Sequence, residues 1–265
     1  MSAKPFLNVT LLAGGLGKRM QSSLPKILHK VNKISMLSRI IQQISLYELK
    51  FNHVINILIV VGKYKDIIKT TIEEELTNLK LYFILEKIQY VMQDEPLGTG
   101  HAVLCTLPFL NDRDVNLILN ADTPMLSHET LENIINNFMS SKNILNITAI
   151  DATDPSGCGR IIMKDGMFDN ITEEKDCDET KRKINIINCG IYIGLNSTWK
   201  KYVPLIENFN SQKEYYLTDV VKLCNEDETL GKNKIGLFIL DKKKEYEIVN
   251  INTKEQLDKL NKIFI

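Results

Sequence analysis

Residues 54–61 read Val-Ile-Asn-Ile-Leu-Ile-Val-Val, an almost unbroken β-branched run with one polar interruption. A strand with one wet face alternates apolar and polar residues. This run does not alternate, so both of its faces must be covered. Cover of that kind comes from helices packed on the two sides of a sheet, and the neighbouring patterns supply them. Residues 36–50 place Leu37, Ile40, Ile41, Ile44 and Glu48 at helical spacing, with Ser35 available as N-cap. Residues 65–76 read as a second helix with a charged face, and 128–139 as a third. Residues 6–12, 81–85 and 115–119 read as further strands. Strands and helices that alternate in this way predict an α/β fold: a Rossmann-like, doubly wound, mostly parallel sheet whose ligands bind beyond the carboxyl ends of the strands.

After residue 145 the pattern changes. Residues 147–150, 160–163, 168–172 and 184–193 are strand-like, and Lys164-Asp165-Gly166 is a turn signal between two of them. An inserted β-rich lobe is expected here. The tail returns to helix (217–224), strand (235–240) and helix (253–263), the last with Thr253 or Asn252 as cap. At 265 residues and 44% hydrophobic, the chain can bury one substantial core. A single domain in two lobes is expected, one from about residues 1–122 plus 231–265 and the other from about 123–230.

Lys+Arg 33 against Asp+Glu 33 leaves a net charge of +0, which argues against a nucleic-acid surface. Cys105, Cys158, Cys177, Cys189 and Cys224 are widely spaced with no C-x-x-C, so reduced thiols are expected rather than a disulfide framework or a zinc site. The first five residues lack the apolar core of a leader, and no run approaches the ~18 apolar residues of a membrane span. A soluble, cytoplasmic protein without membrane partners is the expectation.

The chemistry concentrates where the first strand ends. Leu11-Leu12-Ala13-Gly14-Gly15-Leu16-Gly17-Lys18-Arg19-Met20 is followed at once by Ser23-Leu24-Pro25-Lys26. Glycines leave the backbone free to approach a bulky anion, and successive N–H groups can point at one oxygen cluster. Arg19 and Lys26 add full charges, so the stretch reads as a polyphosphate cradle. The P-loop pattern fails, because position 12 is Leu and Arg19 stands where Ser or Thr should follow the lysine. The dinucleotide fingerprint fails at Met20. Downstream, Gln93 in Gln93-Asp94-Glu95-Pro96-Leu97-Gly98-Thr99-Gly100-His101 can pair with a pyrimidine edge, and Gly98 lets a base lie on backbone. Asp122 closes an apolar strand as a hard oxygen ligand suited to Mg²⁺. Each segment alone also fits a plain structural role: a capping Thr99, a turn-capping Asp122, a packed Tyr215-Tyr216 pair. His101 reads as a packing residue rather than a base.

Together these segments resemble the sugar-nucleotidyltransferases, whose cradle reads L-A-G/A-G-x-G-x-R-M followed by L-P-K. The chain is most similar to the N-terminal uridylyltransferase part of the N-acetylglucosamine-1-phosphate uridylyltransferases. Asp154-Pro155-Ser156-Gly157-Cys158-Gly159-Arg160-Ile161 resembles D-P-T-G-Y-G-R-I, residues 171–176 resemble I-V-E-x-K-D, residues 187–191 resemble I-N-T-G-I, and residues 214–219 match E-Y-Y-x-T-D. The resemblance implies Mg-dependent uridylyl transfer from UTP to a sugar-1-phosphate. It implies Arg19 and Lys26 as catalytic cations, Ala13, Gly14 and Gly15 against the substrate, and Gln93, Gly98 and Thr99 around uracil. It further implies Gly159, Glu173 and Asn188 around the acceptor, and Asp122 and Asn250 as ligands of Mg²⁺. Three positions depart from the pattern: Cys158 replaces Tyr, Ile248 stands where a glycine is usual before Val249-Asn250, and Lys18 stands where Thr is common. Bifunctional members continue into a β-helix of hexapeptide repeats. The chain stops at Ile265, so uridylyl transfer alone is expected, without trimer formation through that domain. The oligomeric state is left open. A nucleotidyltransferase of another pyrimidine or another sugar, and a non-catalytic nucleotide-sugar sensor, remain as alternatives.

Overall fold

The computed structural model describes residues 6–15, 17–51, 55–231 and 234–264, apart from the side chain of Lys18. Leu16 in the cradle, Val54 at the head of the apolar run, the Lys18 side chain and Ile265 therefore lie outside the described residues. β1 (Leu7–Leu12) leads through the glycine turn and a small hairpin, β2 (Lys30–Val31) with β3 (Ile34–Ser35), into α1 (Met36–Phe51). Next come β4 (Ile55–Val61), α2 (Lys65–Asn78), the single turn α3 (Tyr82–Leu85), β5 (Ile88–Met92), α4 (Thr99–Leu104), β6 (Val115–Asn120) and α5 (His128–Ser140). The second half adds β7 (Leu145–Asp151), β8 (Arg160–Lys164), β9 (Met167–Thr172), α6 (Glu179–Arg182) and β10 (Ile186–Leu195). It closes with α7 (Asn196–Tyr202), α8 (Asp219–Glu226), β11 (Ile235–Ile239) and α9 (Lys254–Asn261).

The main sheet runs β11-β7-β10-β6-β1-β4-β5. β1 lies parallel to β4 and β6, β4 to β5, and β7 to β11, while β10 runs antiparallel between β6 and β7. The fold is thus the mostly parallel α/β sheet expected. The β-rich stretch grows out of that sheet: β7 and β10 are members of it, and the β8–β9 hairpin extends from β10. Its turn follows the sequence signal, because Asp165 and Gly166 both take positive φ, +51° and +76°, which matches the twist of the flanking strands.

β4 is dry on both faces, as its composition demands. Ile57, Ile59 and Val61 pack with Leu37, Ile40 and Ile41 of α1 and with Ile68 and Ile72 of α2. Leu58 belongs to the opposite cluster, with Val103 of α4, Trp199 of α7 and Val220 of α8. Ser35 caps α1 by accepting from the Ser38 N–H at 3.2 Å. At α9 the cap is Thr253, in a reciprocal capping box with Gln256, which frees Asn252 for another role.

One expected strand is wrong. Leu81 instead precedes the turn α3 of residues 82–85: after α2 the chain reverses at Lys80, φ +59°, and re-enters a helical turn, with the Ile84 N–H bonding to the Leu81 carbonyl at 3.1 Å. A five-residue apolar run fits one helical turn as well as a strand. The strand beside β4 is instead β5, an edge strand whose only buried side chain is Val91. All five cysteines are free thiols, and among the described residues no helix is long and apolar enough to cross a membrane.

Candidate active site

The carboxyl ends of the parallel strands bring the singled-out segments together. Leu12 stands beside Asn120 in the β1–β6 register, so the glycine turn after β1 and Asp122 after β6 emerge side by side. Backbone bonds extend the ladders past the strand ends: Ala13 N–H to Val60 O at 3.0 Å, Gln93 N–H to Val61 O at 2.8 Å and Ala121 N–H to Leu12 O at 3.2 Å. Gly17 has φ +59°, and a Cβ there would stand 2.7 Å from the Lys26 Cβ. Only glycine at this place lets the turn close over the lysine. Pro25 then starts a 3₁₀ turn, residues 26–28, that aims Lys26 inward.

Lys26 is the hub. Its ammonium donates to the Asp122 carboxylate and, at 3.0 Å, to Oδ1 of Asn252. The same Oδ1 accepts from Arg19 at 2.9 Å. The amide nitrogen of Asn250 donates to the other Asp122 oxygen at 3.1 Å, and the Ile251 N–H holds the Asp122 carbonyl at 2.9 Å. Arg19 and Lys26 from the start of the chain, Asp122 from its middle and Asn250 from near its end therefore meet. Asn252 was missed in this role, since sequence reading gave it only as a possible helix cap. Its signal is the run Asn250-Ile251-Asn252-Thr253, where alternation puts two amides near one another and Thr253 already serves as cap. Asn250 spends its nitrogen on Asp122, whereas Asn252 presents its oxygen to the cations. A hard cation needs oxygens, and the Asp122 carboxylate and Asn252 Oδ1 here already converge on one positive charge, the Lys26 ammonium. Among the described residues no group of three or more His, Cys, Asp or Glu could cage a metal by itself.

Two adjoining clefts open at this hub. One, of about 480 Å³, is lined by Ala13, Gly14, Gly15, Lys26, Gln93, Gly98, Thr99 and Asp122. The other, of about 490 Å³, is lined by Arg19, Thr99, Gly159, Glu173, Asn188 and Asn250. Leu12, Thr99 and Asn120 face both. Every site residue singled out from the sequence lines one cleft or the other. A larger hollow, about 730 Å³, lies between the β8–β9 hairpin, α8 and β11 and shares no residue with them.

The base side of the first cleft is built on backbone. Gly98 has φ +117°, and a Cβ there would stand 2.6 Å from the Tyr215 carbonyl oxygen. That closeness clasps residues 97–100 to residues 215–217, through Tyr215 N–H to Leu97 O at 2.8 Å, Gly100 N–H to Tyr215 O at 2.7 Å and Leu217 N–H to Thr99 Oγ1 at 3.0 Å. Gln93 is 5% exposed, and its amide nitrogen donates to Gly98 O at 3.1 Å. His101, expected only to pack, has a polar partner: Nδ1 lies 3.2 Å from that same nitrogen.

In the second cleft, Arg160 is buried, donates to the Cys158 carbonyl and pairs with Glu174 at 2.8 Å. Glu174 also accepts from the Gly157 N–H at 3.1 Å, so the pair fixes the loop that presents Gly159. Asn188 is already committed, donating to the Tyr192 hydroxyl at 2.6 Å and accepting from the Gly190 N–H at 3.0 Å. Burial raises the Glu173 carboxyl above the ordinary range; a hydrogen bond from Thr218 opposes this, and nearby Asp219, Asp176 and Glu214 reinforce it. Burial likewise pushes the thiols of Cys158 and Cys189 up, which keeps them protonated and poor nucleophiles.

Comparison with known proteins places this geometry in context. Residues 9–164 match the model of the MobA-like NTP transferase domain. The chain is 48% identical over 259 residues to a probable UDP-N-acetylglucosamine pyrophosphorylase of Acanthamoeba polyphaga mimivirus, covering 97% of this chain and 96% of that protein. It is 40% identical over 219 residues to the bifunctional protein GlmU of Coxiella burnetii, covering 82% of this chain and 44% of that one. The chain thus spans about half the length of the bifunctional relatives it matches. A crystal structure of UDP-glucose pyrophosphorylase complexed with UDP-glucose superposes with a TM-score of 0.71 at 14% identity, covering 98% of each chain. A putative glucose-1-phosphate thymidylyltransferase from Bacillus anthracis superposes at 0.70 and 16%, covering 97% of this chain and 94% of that one. At those identities the likeness is one of fold.

Proposed function

This chain belongs to the MobA-like NTP transferase family, and we propose that it transfers a uridylyl group from UTP to N-acetylglucosamine-1-phosphate, releasing pyrophosphate. The name of its mimivirus relative, matched over nearly the whole length of both chains, supports the choice of substrates. The observation that carries the chemistry is the hub: two cations, Arg19 and Lys26, share the Asn252 oxygen at the mouth of a glycine turn, beside Asp122.

In this reading the triphosphate lies along the glycine turn with uracil toward Gln93, Gly98 and Thr99, and the sugar phosphate lies in the second cleft toward Gly159, Glu173 and Asn188. The nucleotide is assigned to the lobe of residues 1–122 plus 231–265, and the sugar to the lobe of residues 123–230. A phosphate oxygen of the acceptor forms a bond to the α-phosphorus, and the bond from that phosphorus to the bridging oxygen breaks, pyrophosphate leaving with the electron pair. The acceptor oxygen is already ionised near neutral pH, so no base is required, and positioning with charge stabilisation carries the reaction. Lys26 and Arg19 leave their protein partners for phosphate oxygens and neutralise charge as it develops at the α-phosphoryl and the leaving group. Asp122, with Asn250 or Asn252, has the oxygen chemistry to hold Mg²⁺, which when bound supplies further positive charge to the phosphates.

The test is pyrophosphate release from UTP with N-acetylglucosamine-1-phosphate, set beside glucose-1-phosphate and beside CTP. Fastest turnover with the first pair is expected. Release with none of the sugar phosphates would leave the sensor reading standing instead.

A further inference from the structure

Two of the five free thiols stand at opposed positions in the wall of the second cleft. The antiparallel pairing of β8 with β10 sets Arg160 opposite Ile187. One residue further out, the Asn188 N–H donates to the Gly159 carbonyl at 2.8 Å, which makes Gly159 and Asn188 a hydrogen-bonded pair. Continuing that register by one more residue sets Cys158 opposite Cys189. Opposed residues share a face of the sheet, and a pair that flanks a hydrogen-bonded one has its Cα atoms about 4.5 Å apart, inside the span of about 4.4–6.8 Å that a disulfide bridges. The turn that delivers Cys158 is itself fixed, with its N–H bonded to the Pro155 carbonyl at 3.2 Å and Gly157 at φ +78°. Cys189 belongs to the larger apolar cluster and Cys158 packs against the same cluster. Burial raises the Cys189 thiol first of all, and the neighbouring Cys158 thiol raises it further. Cys158 stands where the family pattern has Tyr, so the pair is a property of this chain.

We propose that Cys158 and Cys189 are a modification site: a small-molecule disulfide such as oxidised glutathione joins them in a cross-link, and the cross-link weakens the hold of this cleft on the sugar phosphate. The second half rests on the reading of the cleft as the acceptor site. Cys158, half-buried and the more accessible of the two, loses its proton to solvent and attacks one sulfur of the oxidant. The oxidant's S–S bond breaks, one glutathione leaves with the electron pair, and a mixed disulfide remains on Cys158. Cys189 then loses its proton and attacks the Cys158 sulfur, and the second glutathione leaves. Two protein thiols are oxidised, one disulfide is reduced to two thiols, and both protons end on the released glutathione. Burial keeps the Cys158 thiol protonated, which slows the first attack, whereas the opposed geometry of the two sulfurs governs the end point. In the reduced protein the Cys158 thiol makes only a long contact, 3.9 Å, to the Ser156 carbonyl, and that contact is broken on closure. The closed ring encloses Gly159 and Asn188, the residues assigned to the acceptor, and removes the freedom of their loop to settle on the sugar.

The experiment equilibrates the reduced parent protein with oxidised glutathione, digests it without reductant and maps the disulfides by mass spectrometry. KM for each substrate is measured before oxidation, after it, and after dithiothreitol, so each protein is its own control. A peptide linking Cys158 to Cys189 is expected. KM for N-acetylglucosamine-1-phosphate should rise about three- to tenfold, the worth of one hydrogen bond, while KM for UTP stays within about twofold, and reductant should restore both. Cys189→Ala should stop at a glutathione adduct on Cys158, and Cys158→Ser should leave Cys189 unmodified. Absence of the linked peptide, a persistent adduct on Cys158 in the parent, or a link to another cysteine would overturn the thiol pair. Equal changes in the two KM values, or none, would overturn its effect on the acceptor. Absence of turnover in the reduced parent strikes the uridylyl-transfer reading instead, and the peptide map still decides whether the pair closes.

Discussion

Replacing Lys26 by Met separates what the hub does for stability from what it does for chemistry. The ion pair with Asp122 is largely shielded, with side chains 14% and 12% exposed. Removing one partner leaves Asp122, among the described residues, with only the Asn250 amide at 3.1 Å as a side-chain donor. One-sided loss of a buried pair costs about 3–5 kcal/mol, and the residual exposure and surviving bond place this case at about 3 kcal/mol, or roughly 6–12 °C in Tm. Turnover should fall about 10²- to 10³-fold, the usual loss when a preorganised charge is removed. In the double variant Lys26→Met, Asp122→Asn both charges are gone, so stability should return to within about 1 kcal/mol of the parent. Activity should stay low. Thermal melts and pyrophosphate release on these three proteins decide the matter. The reasoning fails if Lys26→Met turns over at the parental rate, or if the double variant is no more stable than Lys26→Met.

Asn252→Ala should lower turnover and raise the magnesium concentration needed for half-maximal rate more than Asn250→Ala does, because the Asn252 oxygen faces both cations while Asn250 turns its nitrogen to Asp122; equal magnesium titrations would refute that ranking. Gly98→Ala must adopt φ +117° with its Cβ against Tyr215, so we expect a loss of at least about 1–3 kcal/mol in denaturant melts, with UTP binding weakened in parallel. Burial raises the folded carboxyl of Glu173, so its contribution to stability is fully present below its unfolded pKa of roughly 4.3 and is lost as pH rises through the raised folded value. Glu173→Gln should therefore melt higher than the parent near neutral pH and close to it at about pH 4, while raising KM for the sugar phosphate; a Tm difference independent of pH would contradict this.

Much of the fold was legible because the chain states it with period and composition. The unbroken run at β4 demanded two covering layers, and the clusters on its two faces are those layers. α1 and α5 announced themselves by apolar spacing, and the β8–β9 turn by Asp165-Gly166. The failure at 81–85 has a physical source: five apolar residues do not distinguish a helical turn from a strand, while the true edge strand β5 carries exposed Gln89 and Met92 and so hides its pattern. The antiparallel seat of β10 inside a parallel sheet is a long-range pairing that no local window encodes. In the site, residue types pointed to the glycine turn with its cations and to Asp122, the family resemblance named the rest, and the structure gathers these residues around two adjoining clefts, but hydrogen-bond direction was invisible. That Asn252 offers an oxygen, that Asn188 is already engaged, and that His101 faces Gln93 are facts of side-chain orientation across 4 to 233 positions of sequence separation.

Leu12, Thr99 and Asn120 border both clefts, so they form a common partition rather than belonging to either chamber. Kinetic dissection inherits that ambiguity. A change at any of the three shifts the apparent Michaelis constants of both ligands together, and only a grid in which the two concentrations are varied against each other can say which half of the encounter was damaged.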